Sequence, residues 1–240
     1  MTKGIYGKAY IDIEQYIDMN AFENLHAQIC RGFILGQPNV SLGYLDLYEP
    51  NKPFVNLGIY TNGIRPVWYF YDQYKLLPDD HPIKISAAGL EGNDLIRYIT
   101  YVYGAHNPYR IHEVLNKENN FESEYFPFVL DWIKNLPIFS HVKSAYFLIV
   151  EAGGSSIEHS DPEFEGDKSL HEFIYVRQNT KRPFYVRHFE TNEKVYMNSR
   201  ASCFNDQDYH GSDPCQETTY MLRVDGIFTD SFREILKNVV

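Results

Sequence analysis

A histidine and an aspartate separated by one residue, His159 and Asp161, are well suited to hold a metal ion. They follow a strand-like run that ends in the turn Gly153-Gly154. In an extended chain, side chains two residues apart leave the same face, so this imidazole and this carboxylate can bind one ion. Two ligands are too few for a tight site, and we expect a third from a neighbouring strand.

His210 is the best candidate for this third ligand. It comes just after a strand-like run that ends in Cys203-Phe204-Asn205. Two imidazoles and one carboxylate on one face of an octahedral ion leave three positions open, which is typical of non-haem Fe(II) oxygenases. The same ligand set also suits zinc or manganese.

Arg223 lies in the largely apolar run Tyr220-Met221-Leu222-Arg223-Val224-Asp225. A strand here would carry the guanidinium into an apolar barrel, where an unpaired charge is very costly. The distal carboxylate of 2-oxoglutarate would pair with it bidentately. The other end of the 2-oxo acid, and then dioxygen, would take the open metal positions.

Four further residues are weaker candidates for binding small molecules. Tyr146 and Tyr175 lie on strand-like runs, and we consider them as hydrogen-bond partners of the co-substrate. Arg177 and Arg187 carry positive charge on similar runs, and we consider them as partners of an acidic or zwitterionic substrate.

His171 is a third tentative substrate contact, because it too lies on a strand-like run. A lone histidine in such a position is more often a hydrogen-bonded core residue. Asp206 and Asp208 flank the loop that leads to His210, where either carboxylate can orient an imidazole or be solvated.

The elements that would position these residues change character at about Val142. From there on, short strand-like runs alternate with turn residues at intervals typical of a barrel or jelly roll. The predicted strands cover residues 144–151, 170–177, 184–189, 193–197, 201–205 and 219–225, and a short helix covers 230–236.

The first half reads as mixed structure. A strand is predicted over 5–11 and helices over 19–32, 93–103 and about 122–136. Between residues 40 and 71, short apolar runs are separated by turn signals such as Thr61-Asn62-Gly63, which predicts further strands. We therefore expect an α+β fold, in which helices mostly from the N-terminal half brace a double-stranded β-helix (jelly-roll, cupin-like) core.

The expected organisation is one oxygenase domain over residues 1–240. Residues 1–140 would shape the substrate pocket, and residues 141–228 would form the metal-binding jelly-roll core. Apolar residues make up 44% of the chain and charged residues 22%, as in a folded globular protein.

Charge and cysteine usage exclude several classes. A net charge of -10 without a dense Lys/Arg run argues against nucleic-acid binding. Three cysteines without CxxC spacing argue against a disulfide framework and fit a reducing cytoplasm. The sequence shows neither an apolar targeting segment nor a long apolar run, so neither export nor membrane spanning is indicated.

Between residues 142 and 225 the sequence resembles the Fe(II)/2-oxoglutarate-dependent oxygenases. It is most similar to the branch of aspartyl/asparaginyl hydroxylase-like and free-amino-acid (proline-type) hydroxylases. In that branch a strand and a Gly turn lead into H-x-D, matched here by residues 144–161. A strand ending in Asn follows, matched by residues 172–179, and then a distal His and an Arg. Relatives often place an Arg near the position that His171 occupies here.

The resemblance implies iron(II) binding by His159, Asp161 and His210, and 2-oxoglutarate binding by Arg223. It implies a dioxygenase that hydroxylates a C–H bond of a small polar metabolite, most simply a free amino acid or derivative. Because Asp161 is a carboxylate, no position is vacated for chloride, so hydroxylation is favoured over halogenation. The alternatives are a hydroxylase of a protein or peptide side chain, and a non-catalytic cupin-like binding module.

Overall fold

The structure, a computed structural model, describes residues 4–35, 67–105, 125–150, 152–161 and 171–239. The side chains of residues 67–69, 93, 144 and 146 are not described. The strands predicted between residues 40 and 66 lie outside the described residues.

Most of the helices precede the sheets along the chain. A single 3₁₀ turn, Glu14–Tyr16, comes before the first of them. The side chain of Asp18 accepts the backbone N–H of Ala21 at 2.9 Å and thereby begins α1. The helices are α1 Met19–Asn24, α2 His26–Leu35, α3 Val67–Leu76, α4 Pro82–Ser86, α5 Gly92–Tyr103, α6 Pro127–Lys134 and α7 Asp230–Asn238.

The strands of the described residues form two antiparallel sheets. One has the order β1-β7-β4-β9-β2 and the other the order β3-β8-β5-β6. Every strand pair in both sheets is antiparallel. The strands are β1 Tyr10–Asp12, β2 Phe139–Val150, β3 Ser156–His159, β4 Phe173–Arg177, β5 Phe184–Arg187, β6 Lys194–Tyr196, β7 Ala201–Phe204, β8 His210–Ser212 and β9 Thr219–Phe228.

The five-stranded sheet is the central layer, as alternation along β4 shows. Ile174 and Val176 belong to the large core shared with the helices. Phe173 and Tyr175 belong to a second core, which also contains Phe184 of the four-stranded sheet. Because alternate side chains of a strand leave opposite faces, the helices cover one face of the central sheet and the second sheet faces the other. The fold is therefore α+β.

Several sequence predictions need correction. Val67–Leu76 is a helix, so residues 67–71 are not the strand that the apolar runs predicted. The predicted N-terminal strand is shorter, since Ile5 and Lys8 instead close a tight turn. The helix predicted over 19–32 is two helices that meet at Leu25. Among the described helices, none is long and apolar enough to cross a membrane.

The burial of His26 makes stability depend on pH. Its Nδ1 lies 3.0 Å from the hydroxyl of Tyr220 and its Nε2 lies 2.7 Å from the carbonyl of Val102. Burial lowers the pKa of His26 below its ordinary value of 6.5. Just below pH 6.5, His26 therefore binds a proton more readily in the unfolded chain than in the folded protein.

We expect the free energy of unfolding to fall as the pH drops below about 6.5, by up to roughly 1.4 kcal/mol per pH unit for this one group. Urea unfolding at a series of pH values with a chelator present would measure this slope. His26→Gln should make the slope shallower, because the amide keeps a donor for Val102 but does not titrate. An equal slope in both proteins would contradict this assignment.

Candidate metal centre

His159 and His210 face each other across two paired strands. β3 ends at His159 and β8 begins at His210, and their Cα atoms are partners in the antiparallel register. Asp161 follows β3, and its backbone N–H donates to the carbonyl of Asp206 at 2.8 Å. The strand pairing therefore brings together residues that are distant in sequence.

The three side chains converge at their ligand atoms. One nitrogen from each imidazole and one carboxylate oxygen of Asp161 lie within 4.8 Å of one another. The Nε2 atom of His159 is 3.7 Å from Oδ1 of Asp161, and the two imidazole centroids are 4.4 Å apart. For an ion to bind at about 2.1 Å from each donor, the three ligand atoms would have to move closer together.

Hydrogen bonds orient both imidazoles. His159 Nδ1 lies 2.8 Å from the carbonyl oxygen of Ile157, and His210 Nδ1 lies 2.9 Å from that of Asp208. Since a carbonyl oxygen can only accept, both Nδ1 atoms carry the proton. In the neutral form of each ring, Nε2 is then the nitrogen that carries the lone pair for a metal.

The environment of His210 also favours its neutral form. The side chain is buried, whereas that of His159 is exposed. Burial lowers the pKa of His210, against the smaller opposing effect of the hydrogen bond to Asp208. The imidazole therefore needs no deprotonation near neutral pH before it can bind a cation.

The loop before His210 is held by the start of the chain. The backbone N–H of Gly4 donates to Oδ2 of Asp208 at 2.7 Å. The sequence offers the carboxylates of Asp206 and Asp208 as groups that can orient an imidazole. For His210 the orienting group is the backbone carbonyl of Asp208, while its carboxylate fixes the loop.

Arg223 is surrounded by carboxylates of the chain itself. Its guanidinium lies 3.2 Å from Asp161, 2.6 Å from Asp206 and 2.9 Å from Asp225. It also stacks over the ring of Phe173, with its Cζ 3.8 Å from the centroid. The sequence predicted the distal carboxylate of 2-oxoglutarate as the partner of Arg223, whereas in the structure three carboxylates of the chain lie beside it.

Sequence reasoning missed Arg182, a buried cation in the core between the sheets. The residue is 3% exposed. Its Nε donates to Oγ of Ser212 at 2.9 Å, and its other nitrogens contact Ser156 and Met221. Within the described parts of the chain, no carboxylate forms an ion pair with it. The turn before β5 resembles a solvated loop in the sequence, and no local signal marked this arginine.

Tyr175 contributes a hydroxyl beside Arg182. It is 3% exposed and contacts Met221, which Arg182 also contacts. Burial raises the pKa of Tyr175, so the hydroxyl stays a donor at neutral pH. The Cα of Tyr146 is the register partner of Arg223, but its side chain lies outside the described part of the chain.

The three tentative substrate residues have other partners. Arg177 is buried and donates to the carbonyls of Ser199, Met197 and Arg182 at 3.1, 2.8 and 3.2 Å. Arg187 donates to Glu158 and to the carbonyl of Asn192. His171 Nδ1 lies 3.0 Å from Oδ1 of Asp206.

No protein-family model matches the chain, and no curated protein matches it in sequence. Among solved structures, the chain is similar to a non-heme monooxygenase, the ThoJ–nickel complex, with 19% sequence identity and a TM-score of 0.28. The match covers 42% of this chain and 50% of that chain, so this chain spans half the length of that protein.

The contacts of Arg177 predict a structural effect on mutation. Arg177→Met would leave buried carbonyls without donors, and we expect it to lower the free energy of unfolding by roughly 3 kcal/mol. Arg187→Met is the matched control, and it should cost under about 1 kcal/mol because its ion pair with Glu158 is partly solvated. Chemical denaturation measures both. A stable Arg177→Met protein that has lost substrate affinity would instead support a substrate contact.

Proposed function

We propose that the chain is an Fe(II)- and 2-oxoglutarate-dependent dioxygenase that hydroxylates a C–H bond of a small polar metabolite. The observation that carries the proposal is the convergence of the ligand atoms of His159, Asp161 and His210 within 4.8 Å. Two neutral imidazoles and a carboxylate suit iron(II) and leave room for co-substrates. The same donors accept zinc or manganese, so activity must decide the metal.

For the fold, we propose a double-stranded β-helix formed by β2 to β9. The strand pairs are nested: β5 with β6, β4 with β7, β3 with β8 and β2 with β9. Nesting of this kind describes one long hairpin whose tip is the β5–β6 turn. Coiling the arms brings β4 beside β9 and β5 beside β8, and both contacts occur. Jelly-roll and cupin domains have this arrangement.

We propose a single oxygenase domain, in which residues 141–228 hold the metal and residues 1–140 shape the substrate pocket. The large core supports one domain, because it joins residues of α2, α5 and α6 to β4, β7 and β9. The metal ligands all come from the second half of the chain.

For the distal carboxylate of 2-oxoglutarate, the geometry favours Arg182 over Arg223. Three carboxylates already engage Arg223, and a fourth would add repulsion. Arg182 is surrounded by the hydroxyls of Ser156, Ser212 and Tyr175, which can all donate to an anion. Its guanidinium fork matches a carboxylate.

The position of Arg182 also suits a diacid. Its partner Ser212 lies two residues after His210 on β8, so both side chains leave the same face about 7 Å apart. A five-carbon 2-oxo diacid can extend over such a distance from the metal ligands to the guanidinium. Tyr175 would donate its hydroxyl to the same carboxylate, in keeping with its assignment as a co-substrate contact.

When bound, iron(II) with 2-oxoglutarate and dioxygen supplies the oxidant for C–H hydroxylation, and 2-oxoglutarate becomes succinate and carbon dioxide. The protein contributes the geometry. The bonds to the carbonyls of Ile157 and Asp208 hold both Nε2 atoms towards one point. The aromatic rings of Phe184 and Phe204, with centroids 6.0 and 5.3 Å from that of His210, keep this wall of the site apolar.

As substrate we propose a free amino acid or a similarly small polar molecule. The net charge of -10 and the sequence without a dense Lys/Arg run disfavour a large anionic partner. A protein or peptide side chain is the second enzyme substrate to test, and a cupin-like module that binds without turnover is the non-enzymatic alternative.

The decisive experiment measures succinate formation with iron(II), 2-oxoglutarate and dioxygen, first alone and then with panels of amino acids and of peptides. We expect iron-dependent succinate formation that amino acids stimulate, together with a product heavier by one oxygen atom. Stimulation by peptides alone would favour the second substrate class. No succinate from a protein that binds iron(II) would leave only the binding module.

A further inference from the structure

The two carboxylate oxygens of Asp161 have different neighbours. Oδ1 lies 3.7 Å from Nε2 of His159 and therefore faces the imidazoles. Oδ2 instead accepts a hydrogen bond from Nη1 of Arg223 at 3.2 Å. One oxygen thus points to the candidate metal position and the other to a guanidinium.

Arg223 is itself fixed from several sides. Its Nη2 donates to Oδ2 of Asp206 at 2.6 Å and its Nε donates to Oδ1 of Asp225 at 2.9 Å. The ring of Phe173 covers one face of the guanidinium at 3.8 Å. Only 11% of the arginine side chain is exposed. A planar group held by carboxylates on its edge and by a ring on its face has little freedom to turn.

Asp206 connects this arrangement to Asp161 a second time. Its backbone carbonyl accepts the N–H of Asp161 at 2.8 Å, while its carboxylate, 1% exposed, binds Arg223. His171 adds a further hydrogen bond to the same carboxylate at 3.0 Å. Both the backbone and the side chain of Asp161 are thus fixed to one buried residue.

We propose that Arg223 is a positioning residue, which holds Asp161 so that a single carboxylate oxygen faces the metal. The inference rests on the proposed metal site and assigns Arg223 a role other than binding the co-substrate. Groups that hydrogen-bond a metal-ligating side chain set its orientation, and their loss typically weakens metal binding by about 10- to 100-fold. Arg223 acts on the metal through Asp161 and need not touch substrate.

The test separates positioning from co-substrate binding by titrating cobalt(II), a spectroscopic substitute for iron(II), into purified full-length protein. In Arg223→Met we expect the cobalt(II) dissociation constant to rise about 10- to 100-fold and the visible cobalt spectrum to change as the carboxylate reorients. The affinity of the metal-saturated variant for 2-oxoglutarate should stay within about threefold of wild type. Arg223→Lys keeps the charge without the planar fork, and it should give an intermediate metal affinity.

Arg233→Met is the matched control. Arg233 also binds two carboxylates, Glu172 and Asp230, but its ion pairs involve none of the metal-ligand candidates. It should bind cobalt(II) as wild type does. Unchanged metal affinity in both Arg223 variants would overturn the proposal, as would a loss of 2-oxoglutarate affinity alone. If Arg223→Met does not fold, Arg223→Lys gives the same readouts. Failure of the wild type to bind cobalt(II) would instead refute the metal site itself.

Discussion

Asp161→Ala is expected to abolish succinate-coupled hydroxylation and to weaken binding of iron(II) or cobalt(II) by at least about 100-fold. The change removes the carboxylate of the candidate site, whose other two donors are imidazoles. Metal sites rarely retain function with two protein ligands, and the loss of charge adds to the loss of a bond. The mutation also removes one of the three carboxylates around Arg223, which leaves less negative charge near the ion.

Metal titration by calorimetry and a succinate assay measure the two effects. The matched control is Glu158→Gln, which lies in the same short segment. The side chain of Glu158 binds Arg187 and is not one of the three metal-ligand candidates. Metal affinity and turnover should therefore stay at the wild-type level. Full succinate-coupled turnover by Asp161→Ala would refute the ligand assignment.

Arg182→Met should raise the dissociation constant of 2-oxoglutarate by roughly 100-fold while metal affinity stays unchanged. Charge-assisted hydrogen bonds contribute about 1.5–3 kcal/mol each, and a bidentate pair with the carboxylate would account for such a factor. Methionine keeps an apolar contact with Phe184, whose ring lies 5.5 Å from the guanidinium carbon. Arg182→Lys keeps the charge and should lose less affinity.

A panel of 2-oxo acids sharpens this second test. In wild type, 2-oxoglutarate should bind much more tightly than pyruvate, because pyruvate lacks the distal carboxylate. In Arg182→Met the difference between the two acids should largely disappear. The opposite result would be that Arg182→Met keeps the preference for 2-oxoglutarate while Arg223→Met loses it. In that case Arg223, as the sequence predicts, would bind the distal carboxylate.

The local part of the site could be predicted from the sequence, since H-x-D spacing in an extended segment fixes the relation of His159 to Asp161. The sequence led us to expect the third ligand, His210, from a neighbouring strand. Its position depends on the pairing of β3 with β8, and neither of these strands was predicted. The strands β4, β5, β6, β7 and β9 lie close to their predicted ranges, because their apolar residues contribute to the two cores. The strand β8 was not predicted.

The environment of the two interior arginines could not be predicted. The sequence indicated that Arg223 would be buried, but not that Asp206 and Asp225 would meet it. Arg182 comes directly after the turn residues Asn179-Thr180-Lys181, which in sequence indicate solvent. The environments of Arg223 and Arg182 both depend on tertiary contacts with residues that are distant in sequence, and no local sequence pattern predicts such contacts. The helix α3 was not predicted, because its first residues are mostly aromatic and aromatic residues are enriched in strands.

Among the strands that the structure describes, β3 lies at the edge of the four-stranded sheet and pairs with β8 alone. Its register is irregular between the pairs Ser156–Ser212 and His159–His210, so few regular ladder bonds hold it. Such an edge can detach without unfolding the two cores. A cation bound by both His159 and His210 would link β3 to β8 and so stabilise this edge. Amide protons of β3 should therefore exchange with deuterium quickly in chelator and slowly once metal is added.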